Sequence, residues 1–198
     1  DHRDLHSFPT RRSSDLVLKQ ADVVQLLAIL DEFPNDVLTA NYEYYEPRTE
    51  HGSSLSPSVH ALVASKACHE EEAYRYFMES ATIDLYNASK KVNSGGSFLG
   101  GIHTVSAGGV WRIIVEGFGG FQLTENGVKL ELRLPEEWEG LSFKLVTKGC
   151  LIEIRIDKEG IAIKSDRNNS TELKTELFDQ SKVLQPGENF EISLVPEE

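Results

Sequence analysis

The stretch VEGFGGFQLTENGVKLELRL, residues 115–134, decides how this chain folds, because the pattern of its apolar residues changes there. Before the glycine pair at 119–120, apolar residues recur three or four positions apart, which is the spacing of a helix. After that pair they alternate with polar residues, which is typical of a strand with one buried face. The sequence therefore predicts an α plus β chain in two units, the first helical and the second built of strands.

The helical part contains five segments of suitable spacing and length. They lie at residues 17–32, 35–45, 56–67, 70–85 and 103–118. The second part contains short alternating runs, separated by turn signals such as Lys148-Gly149 and Glu159-Gly160. These runs lie at residues 128–134, 141–147, 150–156, 160–165, 171–177 and 190–195. Short alternating strands joined by tight turns predict a small antiparallel β-sandwich.

Two loops combine hydroxyl, imidazole and glycine groups, and each leads directly into a predicted helix. They read YYEPRTEHGSSLSPS at residues 44–58 and GGIHTVSAGGVW at residues 100–111. In the first loop we expect Ser56 to be the N-cap and Pro57 the first helical residue, with Ser53 and Ser54 just outside the helix. Unpaired N–H groups at a helix start can hold an anion together with such side chains. The alternative is that these hydroxyl residues only cap their helices.

The composition is that of an acidic globular chain. Its 198 residues include 32 acidic and 20 basic ones, which gives a formal net charge of −12. This charge disfavours binding to nucleic acid or to an anionic membrane, and no apolar run is long enough to span a bilayer. An anionic substrate would need local positive groups, such as Lys19, Arg48 or His103.

The cysteine pattern indicates reduced thiols. Cys68 and Cys150 lie in different predicted units, which argues against a disulfide framework. The sequence has no CxxC or HxxxH pattern that would indicate a metal site. We therefore expect a cytoplasmic protein without a metal.

Several motifs occur in an order that resembles the C-terminal part of glycoside hydrolase family 65. They are LKQADVV (18–24), YYEPRTEHGSSLSPSVHALVA (44–64), EEAYRYFMESATIDL (71–85), GGIHTVSAGGVW (100–111), VEGFGG (115–120) and LPEEWEGLSFKL (134–145). The family contains inverting maltose, trehalose and kojibiose phosphorylases and some related hydrolases. The resemblance implies the last helices of an (α/α)6 barrel at residues 17–120, followed by a small β domain at 121–198.

The resemblance also implies a function and a set of site residues. The parent enzyme would cleave an α-glucoside with inorganic phosphate, with inversion, to give β-glucose 1-phosphate. The residues that match its sugar-contacting pair are Lys19 and Gln20. The residues that match its phosphate-binding positions are Ser53, Ser54 and His103, with Thr104 and Gly108 as secondary positions.

The family's general acid, a glutamic acid, lies upstream of the LKQADVV motif. We therefore expect no catalytic residue within this chain and no phosphorolysis by the chain alone. The implied partners are the disaccharide and inorganic phosphate, with no cofactor, and the parent enzyme would be a homodimer.

The first residues have a different character from the rest of the chain. HSFPTRRSSDL, at residues 6–16, looks like a translated sequencing-library adapter and has no hydrophobic periodicity. We interpret residues 1–16 as a non-native leader, with a genuine basic tail as the alternative, and expect the natural protein to continue upstream. The missing upstream helices would leave an apolar side of residues 17–30 uncovered.

The sequence is also compatible with two other functions. A hydrolase of the same family, of the acid trehalase or kojibiose hydrolase type, would need a second carboxylate to activate water, and Glu50 or Glu46 could supply it. A noncatalytic carbohydrate-binding module could instead use Trp138, the tryptophan of the β region, to stack on a sugar. His60 falls on a predicted buried helix, where a core role is expected.

Overall fold

The structure is a computed structural model that describes residue 18 and residues 20–30, 33–51, 53–85 and 102–195. The predicted leader at residues 1–16 and the sugar-contacting candidate Lys19 lie outside the described residues. The chain divides into two compact units, Asp1–Val110 and Trp111–Glu198. Every strand among the described residues lies in the second unit, which confirms the predicted order of helices first and strands second.

The helices of the described residues are short. They are α1 (Asp22–Ile29), α2 (Asn35–Tyr45), α3 (Ser56–Lys66), α4 (Glu70–Ala81) and α5 (Thr104–Arg112), with a 3-10 turn at Glu46–Arg48 and a π-helical segment at Ile113–Phe118. Helix α2 has the predicted bounds. The prediction that the first helix begins at residue 17 is wrong, because Leu18 pairs with extended backbone instead. Its N–H donates to the carbonyl of Arg48 at 2.7 Å, and its carbonyl accepts from Glu50 N at 2.8 Å.

Helix α3 is the centre of the first unit. Ten of its 11 residues are buried, so this helix is enclosed on nearly all sides rather than on one stripe. The surrounding helices contribute apolar and aromatic side chains to this core. They include Val24 and Leu27 from α1, Leu38 and Tyr42 from α2, and Ala73, Tyr76 and Phe77 from α4. The polar residues of α3 therefore have to find their partners inside the protein.

The second unit contains two four-stranded sheets. Its strands are β1 (Phe121–Leu123), β2 (Gly127–Leu130), β3 (Gly140–Thr147), β4 (Cys150–Asp157), β5 (Gly160–Ser165), β6 (Leu173–Leu177), β7 (Gln180–Leu184) and β8 (Asn189–Ser193). The sheet orders are β1-β2-β6-β7 and β3-β4-β5-β8. All pairs are antiparallel except β2 with β6, which run parallel, so the expected antiparallel pattern has one exception.

One core joins the two sheets and makes the unit a sandwich. Strand β4 shows the cause, because its residues alternate between buried and exposed along CLIEIRI. Its buried members are Cys150, Ile152, Ile154 and Ile156. They share a cluster with Val128, Leu130, Leu173, Leu177 and Leu184 from the other sheet. Cys68 and Cys150 are both free thiols, as predicted.

The apolar side of the first helix is exposed, as predicted. Leu26, Ile29 and Leu30 expose 48%, 60% and 42% of their surface, so this part of the helical unit has apolar residues in solvent. Among the described residues, no helix is long and apolar enough to span a membrane.

Two adjacent glycines of α5 differ sharply in their surroundings and allow a test of the helix packing. A Cβ on Gly109 would lie 2.4 Å from Ser58 Oγ and 2.5 Å from Ser58 Cβ, whereas a Cβ on Gly108 would meet nothing within 4 Å. We expect Gly109→Ala to destabilise the helical unit by about 1–3 kcal/mol through overpacking. Gly108→Ala should stabilise it by about 0.5–1 kcal/mol, since alanine is the better helix former.

Urea unfolding followed by the helical circular dichroism signal would measure both changes against the unsubstituted chain. Equal midpoints for Gly108→Ala and Gly109→Ala would contradict the close approach of α5 to α3.

Candidate functional site

The first candidate loop is held by backbone pairing with Leu18, the first residue of the LKQADVV motif (18–24). After α2 ends at Tyr45, the 3-10 turn leads to Thr49, and the backbone of Leu18 pairs on either side of that residue. The structure thereby brings Leu18, the first residue of the LKQADVV motif, next to the serine loop. Gln20 is exposed and lies two residues beyond this pairing, where it is available to a ligand.

Ser53 and Ser54 lie between this pairing and the start of α3. Both residues are half-buried. Ser53 closes the turn, because its carbonyl accepts from Ser56 N at 3.1 Å and its hydroxyl from Leu55 N at 3.4 Å. The hydroxyl of Ser54 has no hydrogen-bond partner among the described residues. It is therefore available to a ligand without a change in the turn.

The prediction that Ser56 is an N-cap is wrong. Helix α3 begins at Ser56 itself, with Leu55 at the N-cap position, and Pro57 lies in the first turn as expected. The hydroxyl of Ser56 lies 3.0 Å from His51 Nδ1 and 3.3 Å from His60 Nδ1. This serine is 1% exposed, so its hydroxyl bonds to two imidazoles rather than to the helix start.

His103 is held by Asp84, a residue that the sequence analysis did not identify. One carboxylate oxygen of Asp84 accepts from His103 N at 2.8 Å, and the other lies 2.6 Å from His103 Nδ1. These bonds from His103 hold the pKa of Asp84 below its ordinary value, so the carboxylate is ionised. An ionised carboxylate can only accept, which places a proton on Nδ1 of His103. Thr104 and Gly108 are both exposed on the first turns of α5.

The two candidate loops belong to one packed unit, but they are not bonded to each other. Gly109 of α5 lies against Ser58 in the first turn of α3, and Ser106 shares a 3.0 Å hydrogen bond with Ser80 of α4. Within the described ranges, no hydrogen bond joins Ser53 or Ser54 to His103. A common phosphate site formed by these three residues stays a prediction.

A group of titratable side chains surrounds the start of α3, and we call it the His51 cluster. Its members are Glu46, His51, Ser56, His60 and Tyr76. Tyr76 donates to Glu46 Oε1 at 2.5 Å, and Arg75 Nη2 lies 3.8 Å from the same oxygen. The carboxylate of Glu46 is thus engaged by two neighbours, which argues against its use as a base for water. The backbone N–H of Glu50 donates to the carbonyl of Leu18, and the use of its carboxylate as a base for water stays a prediction.

His60 is a core residue, as expected. It is 0% exposed, and its Nδ1 lies 2.9 Å from the carbonyl of Ser56. Burial lowers its pKa to about 4, so the imidazole is neutral at neutral pH. Its Nε2 has no hydrogen-bond partner in the part of the chain that the structure describes.

Trp138 already has an aromatic partner. Its ring meets that of Phe118 edge to face, with centroids 5.3 Å apart and an interplanar angle of 78°. This geometry favours a packing role within the second unit over stacking on a sugar.

Comparison with known proteins agrees with this arrangement of motifs. Residues 5–112 match the glycosyl hydrolase family 65 central catalytic domain, and residues 122–184 match the family's C-terminal domain. The chain belongs to glycoside hydrolase family 65. The first of these matches begins within the predicted leader, whose non-native origin stays a prediction.

Similar proteins include several phosphorylases. The chain is 43% identical over 168 residues to 1,2-alpha-glucosylglycerol phosphorylase from Bacillus selenitireducens, a match that covers 84% of this chain and 22% of that protein. It is 38% identical over 182 residues to kojibiose phosphorylase from Halothermothrix orenii, covering 91% of this chain and 22% of that protein.

A solved structure shows the same fold. It is a kojibiose phosphorylase candidate from the human microbiome, with a TM-score of 0.75, 31% identity, and coverage of 89% of this chain and 23% of that one. The chain thus spans about a fifth of the length of the relatives it matches.

The pKa of His60 predicts how stability depends on pH. Between pH 6.5 and about 4, the unfolded chain binds a proton at His60 and the folded chain does not, so stability should fall as pH falls through this range. A difference of this size corresponds to about 3 kcal/mol. Urea unfolding at the two ends of the range would measure the loss.

Other groups also titrate between pH 6.5 and 4. The contribution of His60 to the loss of stability is therefore tested by replacing it. We expect His60→Asn to be less stable at pH 6.5 and to lose less on acidification than the unsubstituted chain. His69→Asn is the matched control, since His69 is half-exposed, and should keep the original loss. The same loss in both variants would show that His60 does not titrate as its burial requires.

Proposed function

We propose that this chain is the C-terminal part of an inverting disaccharide phosphorylase that converts an α-glucoside and inorganic phosphate to β-glucose 1-phosphate. The observation that best supports the proposal is the position of a hydroxyl group in the serine loop. Ser54 offers a hydroxyl without a hydrogen-bond partner among the described residues, immediately before the buried start of α3 and close to Leu18 of the LKQADVV motif. The named relatives, which are phosphorylases, support the same reaction.

The proposed roles follow from what each group can donate. Ser53 and Ser54 donate hydroxyl hydrogen bonds to phosphate oxygens. His103 keeps one proton on Nδ1 for Asp84 and donates to phosphate through Nε2 as an imidazolium. Thr104 and Gly108 line the adjacent helix start. Such fixed donors hold the nucleophile in place while a general acid protonates the departing oxygen.

The general acid is proposed to lie upstream of this chain, together with the groups that select the disaccharide. Phosphate then attacks the anomeric carbon from the face opposite the leaving group, and the configuration inverts. Lys19 and Gln20 are assigned to the sugar. On this proposal the domain boundary lies near residue 120, the chain alone does not catalyse phosphorolysis, and the parent enzyme is a cytoplasmic homodimer.

The reaction products of the full-length enzyme test the proposal. We expect glucose 1-phosphate to form only when phosphate is supplied, and no turnover by the 198-residue chain alone. Release of free glucose without phosphate would favour a hydrolase instead. Retention of the chain on immobilised oligosaccharide without any parent activity would favour a binding module.

Substitution of Ser54 tests the phosphate contact directly. A hydrogen bond to a charged group contributes about 1.5–3 kcal/mol, so Ser54→Ala in the full-length enzyme should raise KM for phosphate by roughly 10- to 100-fold. The KM for the disaccharide should change little. Ser170→Ala, at an exposed turn of the β unit, is the control and should leave both constants unchanged. An unchanged phosphate KM in Ser54→Ala would contradict the assignment.

A further inference from the structure

The serine pair lies between two residues whose side chains touch. His51 precedes it and Ser56 follows it, and their Nδ1 and Oγ atoms are 3.0 Å apart although the residues are five positions apart in sequence. Ser56 is also bonded through its N–H to the carbonyl of Ser53. The conformation of Ser53 and Ser54 therefore depends on where the side chains of His51 and Ser56 are held.

The protons of the His51 cluster can be assigned from its two ends. At one end, the Tyr76 hydroxyl lies 2.5 Å from Glu46 Oε1, and a carboxylate only accepts, so Tyr76 donates. Burial and the Glu46 carboxylate raise the pKa of Tyr76 far above its ordinary value, and the phenol keeps this proton. At the other end, a backbone carbonyl faces His60 Nδ1, so this nitrogen is protonated.

The centre of the cluster then has one consistent arrangement. His51 Nε2 lies 3.2 Å from the Glu46 carbonyl and 3.2 Å from the Tyr76 oxygen, whose own proton is used by the carboxylate. Both neighbours are acceptors, so Nε2 of His51 carries a proton, and in the neutral imidazole Nδ1 accepts from the Ser56 hydroxyl. His60 Nδ1–H lies 3.3 Å from that hydroxyl oxygen. Each contact thus pairs a donor with an acceptor, and each ring has one tautomer.

The backbone of His51 shows that this arrangement constrains the loop. Its φ is +53°, in the left-handed region that residues other than glycine rarely adopt. Such a conformation is strained and persists only where surrounding contacts determine it. The ring of His51 is held by stacking on Tyr76, with centroids 5.1 Å apart, and by an edge contact with His60 at 4.5 Å.

We propose that the His51 cluster is a positioning device for phosphate: Tyr76, His51 and Ser56 hold Ser53 and Ser54 in their binding conformation without touching the ligand. The inference rests on the proposed phosphate role of the serine pair. It adds two positioning residues, His51 and Tyr76, to that site. Their loss should weaken phosphate binding while leaving the chemistry at the anomeric carbon intact.

A pair of tyrosine variants in the full-length enzyme provides the first test. Tyr76→Phe keeps the ring that stacks on His51 and removes only the hydroxyl that bonds to Glu46 and His51. Tyr74→Phe is the matched control, because Tyr74 is on the same helix and its hydroxyl has no hydrogen-bond partner within the described segments. We expect KM for phosphate to rise about tenfold in Tyr76→Phe and to stay unchanged in Tyr74→Phe. The kcat at saturating phosphate and KM for the disaccharide should change less than about threefold in both.

Substitutions of His51 separate positioning from general destabilisation. Asparagine tolerates the left-handed backbone and can accept from Ser56, whereas glycine tolerates the backbone but has no acceptor. The phosphate KM should therefore increase in the order unsubstituted enzyme, His51→Asn, His51→Gly, with thermal unfolding midpoints recorded for each. Equal phosphate KM values in His51→Asn and His51→Gly would overturn the positioning role.

Different results would overturn the positioning role of the His51 cluster and the phosphorylase function. Phosphate-dependent turnover with the same phosphate KM in Tyr76→Phe and Tyr74→Phe would overturn the positioning device and leave the phosphorylase function standing. Turnover of the unsubstituted enzyme that does not depend on phosphate would overturn the proposed function and, with it, the phosphate role of the cluster.

Discussion

The burial of α3 is the constraint on which the helical unit depends. This helix is enclosed along nearly its whole length, yet it carries Ser56, Ser58 and His60 in its first turns. A buried polar group without a hydrogen bond costs about 1–3 kcal/mol, and a helix start adds N–H groups that lack partners within the helix. Ser58 meets this demand locally by donating to the carbonyl of Leu55. Ser56 meets it through His51, and His60 bonds through Nδ1 to Ser56, so the preceding loop has to return to the core.

This requirement explains how a polar loop can be ordered. Binding residues commonly lie on loops that a rigid scaffold positions. Here the scaffold is the pairing of Leu18 beside Thr49 on one side and the His51 cluster on the other. The contacts that satisfy the buried helix also restrict the conformations open to Ser53 and Ser54. A ligand that meets pre-ordered donors does not have to offset the entropy of ordering them.

Periodic features of this chain can be predicted from its sequence, whereas its pairings cannot. Helix α2 is marked by breakers at both ends, and β4 by strict alternation. Strand β7 escaped prediction because QSKVL is an edge strand with mostly exposed residues and no alternation. The parallel pairing of β2 with β6 depends on the packing of the whole unit.

In the site, family motifs indicated Ser53, Ser54 and His103. The contacts of Asp84 with His103 and of Tyr76 with His51 join residues 19 and 25 positions apart, which leaves no local signal.

The contacts of the His51 cluster matter because the chain is acidic and its candidate anion site relies on hydroxyl groups. The chain carries a net charge of −12, and the guanidinium of Arg48 lies over the Tyr44 ring while donating to the Tyr44 carbonyl at 2.6 Å. The guanidinium of Arg48 is thus held against Tyr44, and its role as a local positive charge for the anion stays a prediction. A full charge attracts an anion over roughly 8–10 Å in salt, but a hydroxyl acts only at hydrogen-bond distance and with the right angle. An anion site that relies on serine hydroxyls gains affinity only to the extent that those hydroxyls are fixed, and this is the role that we propose for the imidazoles of His51 and His60.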